Sequence, residues 1–319
     1  MKSKSRSKRS KAQYKLSNWA QYNQALRNRG SLTLWFPEDG AASWYHRGAR
    51  QRGAQFLYAD QAIEMALMVR KVFGLPFRQL QGFLESIVKL LKQDIKVPDY
   101  SLICRRQGRL KVKLKRISEG ERINIVLDST GLKVYGEGEW KVRQYGWEKR
   151  RIWQKLHVAI DPETTEVLAV ELTTNGVHDM EMAKPLLKNV PDKLKTLWAD
   201  GSYDKWHIYQ YLLSRKIKSI IPTQKNAKIR QRRCLDPIIT SIRAQTISAI
   251  RKMGRKKWKE QSGYHKRSKV ESWMFRYKAT FGGKLMARKF ENQQTEVKIA
   301  CNILNKMLTL GRPASTKST

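Results

Sequence analysis

The sequence predicts an α/β fold in which a mixed sheet with flanking helices follows a smaller all-helical region. Apolar residues in the first third of the chain recur with helical spacing, and short apolar runs of strand length begin after Gly120. The two patterns then alternate, which favours a three-layer α/β arrangement. With 319 residues, the chain can bury one large core or two modest ones.

The charge balance points to a polyanionic partner. Lys and Arg number 65 against 27 Asp and Glu, a net charge of +38. Such an excess of positive charge repels itself unless a polyanion is nearby. Nucleic acid is the commonest polyanionic partner. A hydrophobic content of 40% excludes a disordered basic tail. The sequence has no apolar run long enough to cross a bilayer, and its three cysteines lack metal-ligand spacing. These features predict a cytosolic protein that binds nucleic acid.

The N-terminal region is predicted to have two parts. Residues 1–20 carry seven Lys or Arg before Leu16 and no acid, so we expect a basic, disordered arm. Such an arm is either a solubilising tail or a segment that contacts phosphates. Residues 21–115 are predicted to be a helical DNA-binding region that resembles a helix-turn-helix.

Three helices define that region. The first begins near Asp60 and stops at Gly74, the second covers 77–91, and the third is capped by Asp99. The third helix carries two basic residues that are predicted to contact DNA, Arg105 and Arg106. The alternative is a small helical bundle with no DNA-reading role.

Residues 116–310 are predicted to form the α/β domain. A first strand, 123–127, ends at Asp128, and 131–136 is expected to return as its hairpin partner. Further strands are predicted at 156–160, 167–172, 197–199 and 217–221. Helices are predicted at 179–187, 204–213, 264–280 and 293–310.

Two segments of this half differ from the α/β pattern. Within 225–260, twelve residues are Lys or Arg, which predicts a basic insertion that either contacts DNA or presents a solvated face. Residues 311–319 are expected to be a polar tail.

Two acids stand out because each follows an apolar strand of a basic chain. If the strands that end at Asp128 and Asp200 are neighbours, the two carboxylates converge at one edge of the sheet, where ligands of α/β folds bind. Carboxylates without His or Cys nearby suit Mg²⁺ or Mn²⁺. Taken singly, each Asp is better explained as a turn former or a helix cap.

A third acid lies on a polar helix stripe. At about 100° per residue, the four side chains of this stripe fall within about 60° of one another. They are Tyr264, Arg267, Glu271 and Lys278. The alternative is a simple salt bridge between Arg267 and Glu271, one helical turn apart. Glu296, on the last predicted helix, is expected to have no role, so that its replacement by Gln would be silent.

These residues resemble a known family. The spacing Tyr264-x2-Arg267-x3-Glu271-x6-Lys278 is similar to the signature of bacterial insertion-sequence transposases of the DDE class, in the group often called the IS-five family. Residues 126–140 resemble the first-aspartate motif of that group, and 198–204 resemble the second. The resemblance extends from about Tyr22 to about Met307.

The resemblance implies a ribonuclease-H-like catalytic domain. It implies that Asp128, Asp200 and Glu271 are the catalytic, metal-binding triad, with two ions of Mg²⁺ or Mn²⁺. It further implies that the remaining residues of the stripe hold DNA phosphates, namely Tyr264, Arg267 and Lys278.

The function expected from this resemblance is transposition. The protein would bind the terminal inverted repeats of its element, cleave DNA and join the 3′-OH ends to target DNA. Its partners would be double-stranded DNA and at least one further copy of itself, and its location the bacterial cytoplasm, associated with the nucleoid. The alternatives are a metal-dependent nuclease of the same fold and a non-catalytic DNA-binding regulator.

Overall fold

The architecture is that of a mixed α/β protein. The computed structural model describes residues 14–36, 43–49, 56–117, 123–134, 153–190, 193–224, 226–229 and 237–317. Eight strands are present in this part of the chain: β1 Tyr14–Leu16, β2 Ile123–Val134, β3 Trp153–Ile160, β4 Val167–Thr174, β5 Leu194–Trp198, β6 Lys218–Ile220, β7 Lys284–Leu285 and β8 Ser315–Lys317. Eleven α-helices accompany them in the same ranges: α1 Trp19–Asn28, α2 Leu32–Trp35, α3 Asp60–Phe73, α4 Phe77–Leu90, α5 Tyr100–Gln107, α6 Ala183–Lys188, α7 Trp206–Ser214, α8 Pro237–Met253, α9 Arg255–Gln261, α10 Ser268–Phe281 and α11 Phe290–Thr309.

Six strands form the central sheet. Their order is β4-β3-β2-β5-β6, and β7 pairs with the far end of β2. Strand β3 runs antiparallel to both of its neighbours, β2 and β4, whereas β5 and β6 run parallel to β2. The sheet is therefore mixed, and the prediction of a mixed sheet with helices is confirmed.

The first predicted hairpin is wrong. Residues 123–134 form one continuous strand, β2, which stays paired with β3 from Val126 to Lys133. The sequence Asp128-Ser-Thr-Gly131 has the composition of a turn, but hydrogen bonds to a long partner strand keep it extended. The prediction for 135–136 lies outside the described residues.

The sheet is covered on both faces. One hydrophobic cluster contains Ile125 and Leu127 of β2 with apolar residues of α6, α7 and α8. The other cluster contains Val126 and Leu132 with apolar residues of α10 and α11. Alternate residues of β2 thus point to opposite layers, as the period of a strand requires.

Helices α3 to α5 confirm the three helices predicted for the N-terminal region. Helix α3 ends where Gly74 adopts a left-handed conformation with φ of 67°, which favours glycine. Asp99 caps α5 by accepting a hydrogen bond from the Ser101 amide at 2.8 Å. Nine residues separate α4 from α5, more than the short turn of a helix-turn-helix.

These helices share their core with the sheet. Apolar residues of α3, α4 and α5 belong to the same cluster as those of α10, α11 and one face of the sheet. Helix α11 contacts both α3 and β4. The predicted boundary at residue 115 is therefore not a boundary between two hydrophobic cores.

The expectation for Glu296 is wrong. Its carboxylate is buried between α3 and α11, where Lys71 Nζ lies 2.6 Å from Oε1. The backbone amides of Met286 and Ala287 also donate to it. An acid with three such donors stabilises the fold, so its replacement by Gln cannot be silent.

The two ends of the described chain pair with each other. Strand β1 lies antiparallel to β8, with Tyr14 opposite Lys317. The expected disorder of the arm is therefore wrong for residues 14–20, which form β1 and the start of α1. Residues 1–13 lie outside the described residues. Among the helices that are described, none combines the length and the apolarity needed to cross a membrane.

Candidate active site

The sheet brings two of the predicted acids side by side. In the parallel pair β2–β5, Val126 is in register with Trp198. Asp128 and Asp200 each follow two residues later, so they lie level with each other on the same face of the sheet. Neighbouring strands are about 4.8 Å apart. The neighbouring strands proposed from the sequence are thus confirmed.

The local setting of Asp128 differs from the expectation. Asp128 lies in the middle of β2 and not at its end, because β2 continues to Val134. It is the neighbouring strand β5 that ends, at Trp198. The termination of β5 leaves the side chain of Asp128 partly open, with 18% of its surface exposed.

Asp200 caps the short 3-10 turn formed by Gly201–Tyr203. Its Oδ1 accepts hydrogen bonds from the amide and the hydroxyl of Ser202. The capping role considered from the sequence is therefore present. It uses one carboxylate oxygen, and Oδ2 accepts no hydrogen bond from the described residues.

Arg267 links the first aspartate to the helix acid. Its Nη1 donates to Asp128 Oδ2 at 2.7 Å, while its Nη2 donates to Glu271. The salt bridge considered from the sequence is thus also present, as part of a larger arrangement. One guanidinium lies between two carboxylates from β2 and α10, which shows that a positive charge is accommodated there.

The remaining residues of the stripe lie around this ion pair. The segment Tyr264–Arg267 is a 3-10 turn that contacts β2 and β5, and α10 follows it. The ring of Tyr264 is buried, 6.1 Å from that of Trp258. Lys278 Nζ donates to Thr130 Oγ1 at 2.7 Å. All six predicted residues of the site therefore lie along one side of β2.

The electrostatics of Asp128 reflect its three charged neighbours. Burial raises the pKa of this carboxyl above its ordinary value. The hydrogen bond from the Ser129 amide and the charge of Arg267 oppose this rise, whereas Asp200 and Glu271 add to it. The three acids thus interact electrostatically, and a cation between them would relieve their repulsion.

The donor set fits a divalent cation. Two aspartates and a glutamate supply oxygen ligands alone, the kind that Mg²⁺ and Mn²⁺ prefer. In the described ranges, no three His, Cys, Asp or Glu side chains are close enough to hold a metal ion together. Glu271 has 56% of its side chain exposed and is held by its ion pair with Arg267.

A polar cluster behind the site was not anticipated from the sequence. His157 lies on β3 opposite Ser129, and its buried Nε2 is 2.8 Å from Thr173 Oγ1. Its Nδ1 is 3.8 Å from Asp179 Oδ1, which also pairs with Lys155 at 3.0 Å.

The environment perturbs two members of this cluster. Burial lowers the pKa of His157 to about 4. Burial also raises the pKa of Tyr203 well above its ordinary value, and its hydroxyl has no hydrogen-bond partner in the described part of the chain. Tyr203 ends the turn that Asp200 caps, and the charges of Asp179, Asp128 and Asp200 all act on its hydroxyl. The sole sign of this cluster in the sequence is a His within a predicted strand.

The two predicted DNA contacts of α5 lie in different environments. Arg105 is exposed. Arg106 is only 8% exposed, donates to the Tyr58 carbonyl and to Asp60, and lies over the ring of Phe56. This placement occupies the guanidinium of Arg106 within the protein and argues against its contact with a base.

The fold and the site combine a mixed sheet with three interacting carboxylates, and the comparisons give the family of the chain. A family model described as "Transposase DDE domain" matches residues 119–306, and a second model of the same description matches 27–137. The chain belongs to the transposase DDE domain family, and it is a DNA-cleaving transposase. Members of this family generally use divalent metal ions.

The chain is also similar to solved transposase structures. A piggyBac transposase synaptic complex with hairpin DNA shares 13% identity, covering 94% of this chain and 78% of that one with a TM-score of 0.38. The Mos1 strand transfer complex shares 9% identity, covering 83% of this chain and 82% of that one with a TM-score of 0.23.

Proposed function

We propose that this transposase belongs to the insertion-sequence group often called the IS-five family and has a ribonuclease-H-like catalytic domain. It binds the terminal inverted repeats of its element in the bacterial nucleoid, cleaves the DNA and joins the freed 3′-OH ends to target DNA. One observation carries the proposal: Arg267 joins Asp128 to Glu271, beside an Asp200 that is level with Asp128.

Asp128, Asp200 and Glu271 form the catalytic, metal-binding triad of this proposal. When bound by these carboxylates, two ions of Mg²⁺ or Mn²⁺ activate the attacking oxygen and stabilise the leaving one. Strand β2 positions Asp128, and the turn that Asp200 caps positions Asp200 just beyond the end of β5. Glu271 comes from a helix and is more exposed, so it adjusts to complete the site.

The basic side chains of the stripe position the DNA. The ammonium of Lys278 lies on the exposed face beside Thr130 and binds a phosphate oxygen as a point charge. Arg267 presents a planar guanidinium. When DNA binds, a phosphate replaces a carboxylate as the hydrogen-bond partner of this group. Tyr264 is buried beneath it, 5.9 Å from ring centroid to guanidinium carbon, and holds its plane in place.

Both chemical steps exchange one phosphorus–oxygen bond for another. In the first, a water oxygen bonds to phosphorus and the 3′ oxygen of the element end leaves and takes up a proton. In the second, that 3′-OH attacks a target phosphate, and a target 3′ oxygen leaves. Positioning and electrostatics suffice for such transfers. Joining two ends to one target requires at least two copies of the chain.

A second surface is proposed to contact the element ends. A cavity of about 650 Å³ lies between the end of α5 and the start of α11, and four of its lining residues are basic, Arg105, Arg106, Arg109 and Lys289. Basic side chains that line one groove suit the phosphates of a DNA strand. Arg105 is the exposed candidate for contact with a base. The basic insertion 225–260 and the N-terminal arm add further phosphate contacts.

The experiment that tests the triad replaces Glu271 by Gln. This change keeps the size of the side chain but removes the charge that a metal ligand needs. We expect Mg²⁺-dependent cleavage and strand transfer to fall by at least 100-fold, roughly the loss of one principal transition-state interaction, while DNA affinity persists. Asp128→Asn and Asp200→Asn should behave alike. The matched control is Glu85→Gln, an exposed helix acid that also has an i,i+4 partner, Gln81.

The outcomes separate the three candidate functions. Loss in the triad variants with normal activity of Glu85→Gln supports the proposal. Full activity of a folded Glu271→Gln protein refutes the triad. A pre-cleaved duplex with a free 3′-OH distinguishes a transposase from a nuclease, because only the former joins it to a second DNA. Absence of any metal-dependent nicking by the wild type leaves the DNA-binding regulator.

A further inference from the structure

A buried ion pair joins helix α8 to the turn that Asp200 caps. Arg243, on α8, is 4% exposed, and Asp204, just beyond the turn Gly201–Tyr203, is 5% exposed. The guanidinium holds the carboxylate through two hydrogen bonds: Nε lies 2.7 Å from Oδ1, and Nη2 lies 2.8 Å from Oδ2. The third nitrogen, Nη1, donates to the Lys228 carbonyl at 3.2 Å. All three nitrogens of this guanidinium are therefore engaged within the protein.

This placement differs from the expectation for the segment around it. Arg243 is one of the twelve Lys or Arg of the basic insertion 225–260, for which the sequence predicts contact with DNA or a solvated face. Helix α8 also has an inward face, because Ile239 belongs to the same hydrophobic cluster as Tyr209 of α7. The hydroxyl of Tyr209 donates to Asp204 at 3.1 Å. The insertion thus reaches the interior of the α/β domain through Arg243.

The turn connects the position of Asp204 to that of Asp200. Its backbone is hydrogen-bonded at both ends, since the Tyr203 amide donates to the Asp200 carbonyl at 3.2 Å and the Asp204 amide to the Gly201 carbonyl at 3.3 Å. On its other side, Asp200 follows β5, which is fixed by its pairing with β2. Two anchors therefore hold Asp200, the sheet before it and the ion pair with Arg243 after it.

The form of the ion pair favours a positioning role. A buried ion pair is often no more stabilising than apolar side chains of similar volume, because both charges lose their hydration. A guanidinium that makes two parallel hydrogen bonds to one carboxylate fixes its orientation as well as its distance. Arg243 makes such a pair with a carboxylate that lies only four residues from Asp200.

We propose that Arg243 is a positioning residue for the reaction at the triad. By holding Asp204 it fixes the turn, and the turn keeps the carboxylate of Asp200 level with that of Asp128. The inference rests on the proposed function, because it treats Asp200 as a metal ligand. Loosening the ion pair leaves all the triad carboxylates present but lowers their affinity for a divalent ion. Loss of a group that orients a metal ligand typically costs about 10- to 100-fold in metal affinity.

The test measures metal binding without DNA. The probe is Mn²⁺, and the electron paramagnetic resonance signal of the free ion gives the dissociation constant of the full chain. Arg243→Lys keeps both charges of the pair but loses the two parallel hydrogen bonds, so we expect this constant to rise about 10-fold or more. Cleavage of an element end by this variant should need more Mn²⁺ for half-maximal rate, by a similar factor, and should recover most of the wild-type rate at saturation.

The matched control is another buried ion pair, Lys71–Glu296, whose side-chain exposures of 5% and 2% equal those of Arg243 and Asp204. Glu296→Gln should lower stability but leave the Mn²⁺ dissociation constant within twofold of the wild type. A double variant, Arg243→Met with Asp204→Leu, removes both charges together and leaves neither unpaired. It should also bind Mn²⁺ about 10-fold more weakly, because the turn has lost its directional contact.

Each outcome decides between the readings. A folded Arg243→Lys protein, or a folded double variant, with Mn²⁺ affinity within twofold of the wild type would overturn the proposal. So would an equal loss of affinity in Glu296→Gln, which would assign the effect to stability alone. If Asp200→Asn binds Mn²⁺ as the wild type does, the proposed triad and this inference both fall. Weaker binding by Asp200→Asn with unchanged binding by Arg243→Lys would retain the triad and remove the positioning role.

Discussion

The ion pair between Lys71 and Glu296 is nearly sealed from water, with side-chain exposures of 5% and 2%. Replacing Glu296 by Gln leaves the ammonium of Lys71 buried without a counter-charge. We expect Glu296→Gln to lower the free energy of unfolding by about 3 kcal/mol, measured by urea denaturation. Glu85→Gln, at an exposed acid, should change it by less than about 0.5 kcal/mol. Equal unfolding midpoints in the two variants would contradict this expectation.

His157 makes the stability depend on pH. Because burial lowers its pKa to about 4, below the unfolded value of about 6.5, the folded state binds fewer protons than the unfolded chain. The stability that this causes is present above pH 6.5 and is lost as the pH falls toward 4. Between pH 7 and pH 5 the loss from this group is about 2 kcal/mol.

The variant His157→Gln isolates that contribution. It carries no titratable ring, so the difference between its unfolding free energies at pH 7 and pH 5 should be smaller by that amount. His46→Gln, which replaces an exposed imidazole, is the matched control. An identical pH dependence in the wild type and His157→Gln would show that folding does not change the number of protons bound by this ring.

At the scale of the elements, local patterns predicted most of the helices and strands. Gly74 ends α3 because it has no side chain, and Asp99 begins α5 because its side chain caps the helix. The end of α3 and the start of α5 could therefore be predicted from these residues alone. The continuation of β2 through Gly131 did not, because it depends on hydrogen bonds to β3. Long-range partners decide such cases, since β-structure depends on context.

The candidate site, too, could be predicted only in part from local sequence patterns. Asp128 and Asp200 could be placed together because both follow apolar runs of sequence on parallel neighbouring strands, although β2 continues past Asp128. Glu271 could be placed near them only through the family resemblance, since it lies 71 residues from Asp200 in sequence. The burial of Arg106 was not predictable, because Tyr58 and Asp60 reach it from the distant start of α3.

Helix α5 offers a test of which arginine contacts DNA. Arg105→Ala removes an exposed cation, so we expect it to reduce preference for the element ends over random duplex by roughly 1–3 kcal/mol without loss of stability. Arg106→Ala removes a buried guanidinium and should lower the melting temperature. Anisotropy titrations with both duplexes, together with thermal unfolding, separate the two effects. The opposite pattern would place Arg106, and not Arg105, at the DNA.

At the scale of the whole molecule, one core supports both the helical region and the sheet. Helix α11 is central to this arrangement, since it contacts α3, α5, α10 and β4. The groove at the end of α5 and the candidate triad are therefore built on one packed framework. If DNA binds at this groove as proposed, it lies in a fixed relation to the triad.

The net charge of +38 makes a prediction for the molecule as a whole. If about 6–10 phosphates are neutralised, the logarithm of the association constant should fall with that of the salt concentration, with a slope near −0.9 per phosphate. Deleting residues 1–13, which include six Lys or Arg, should flatten this slope and weaken binding to element ends and random duplex alike, because phosphate contacts carry no sequence information. The deletion spares β1, so stability should not change. Filter binding across a salt series measures both slopes, and a salt-independent affinity of the full chain would show that these charges do not face DNA.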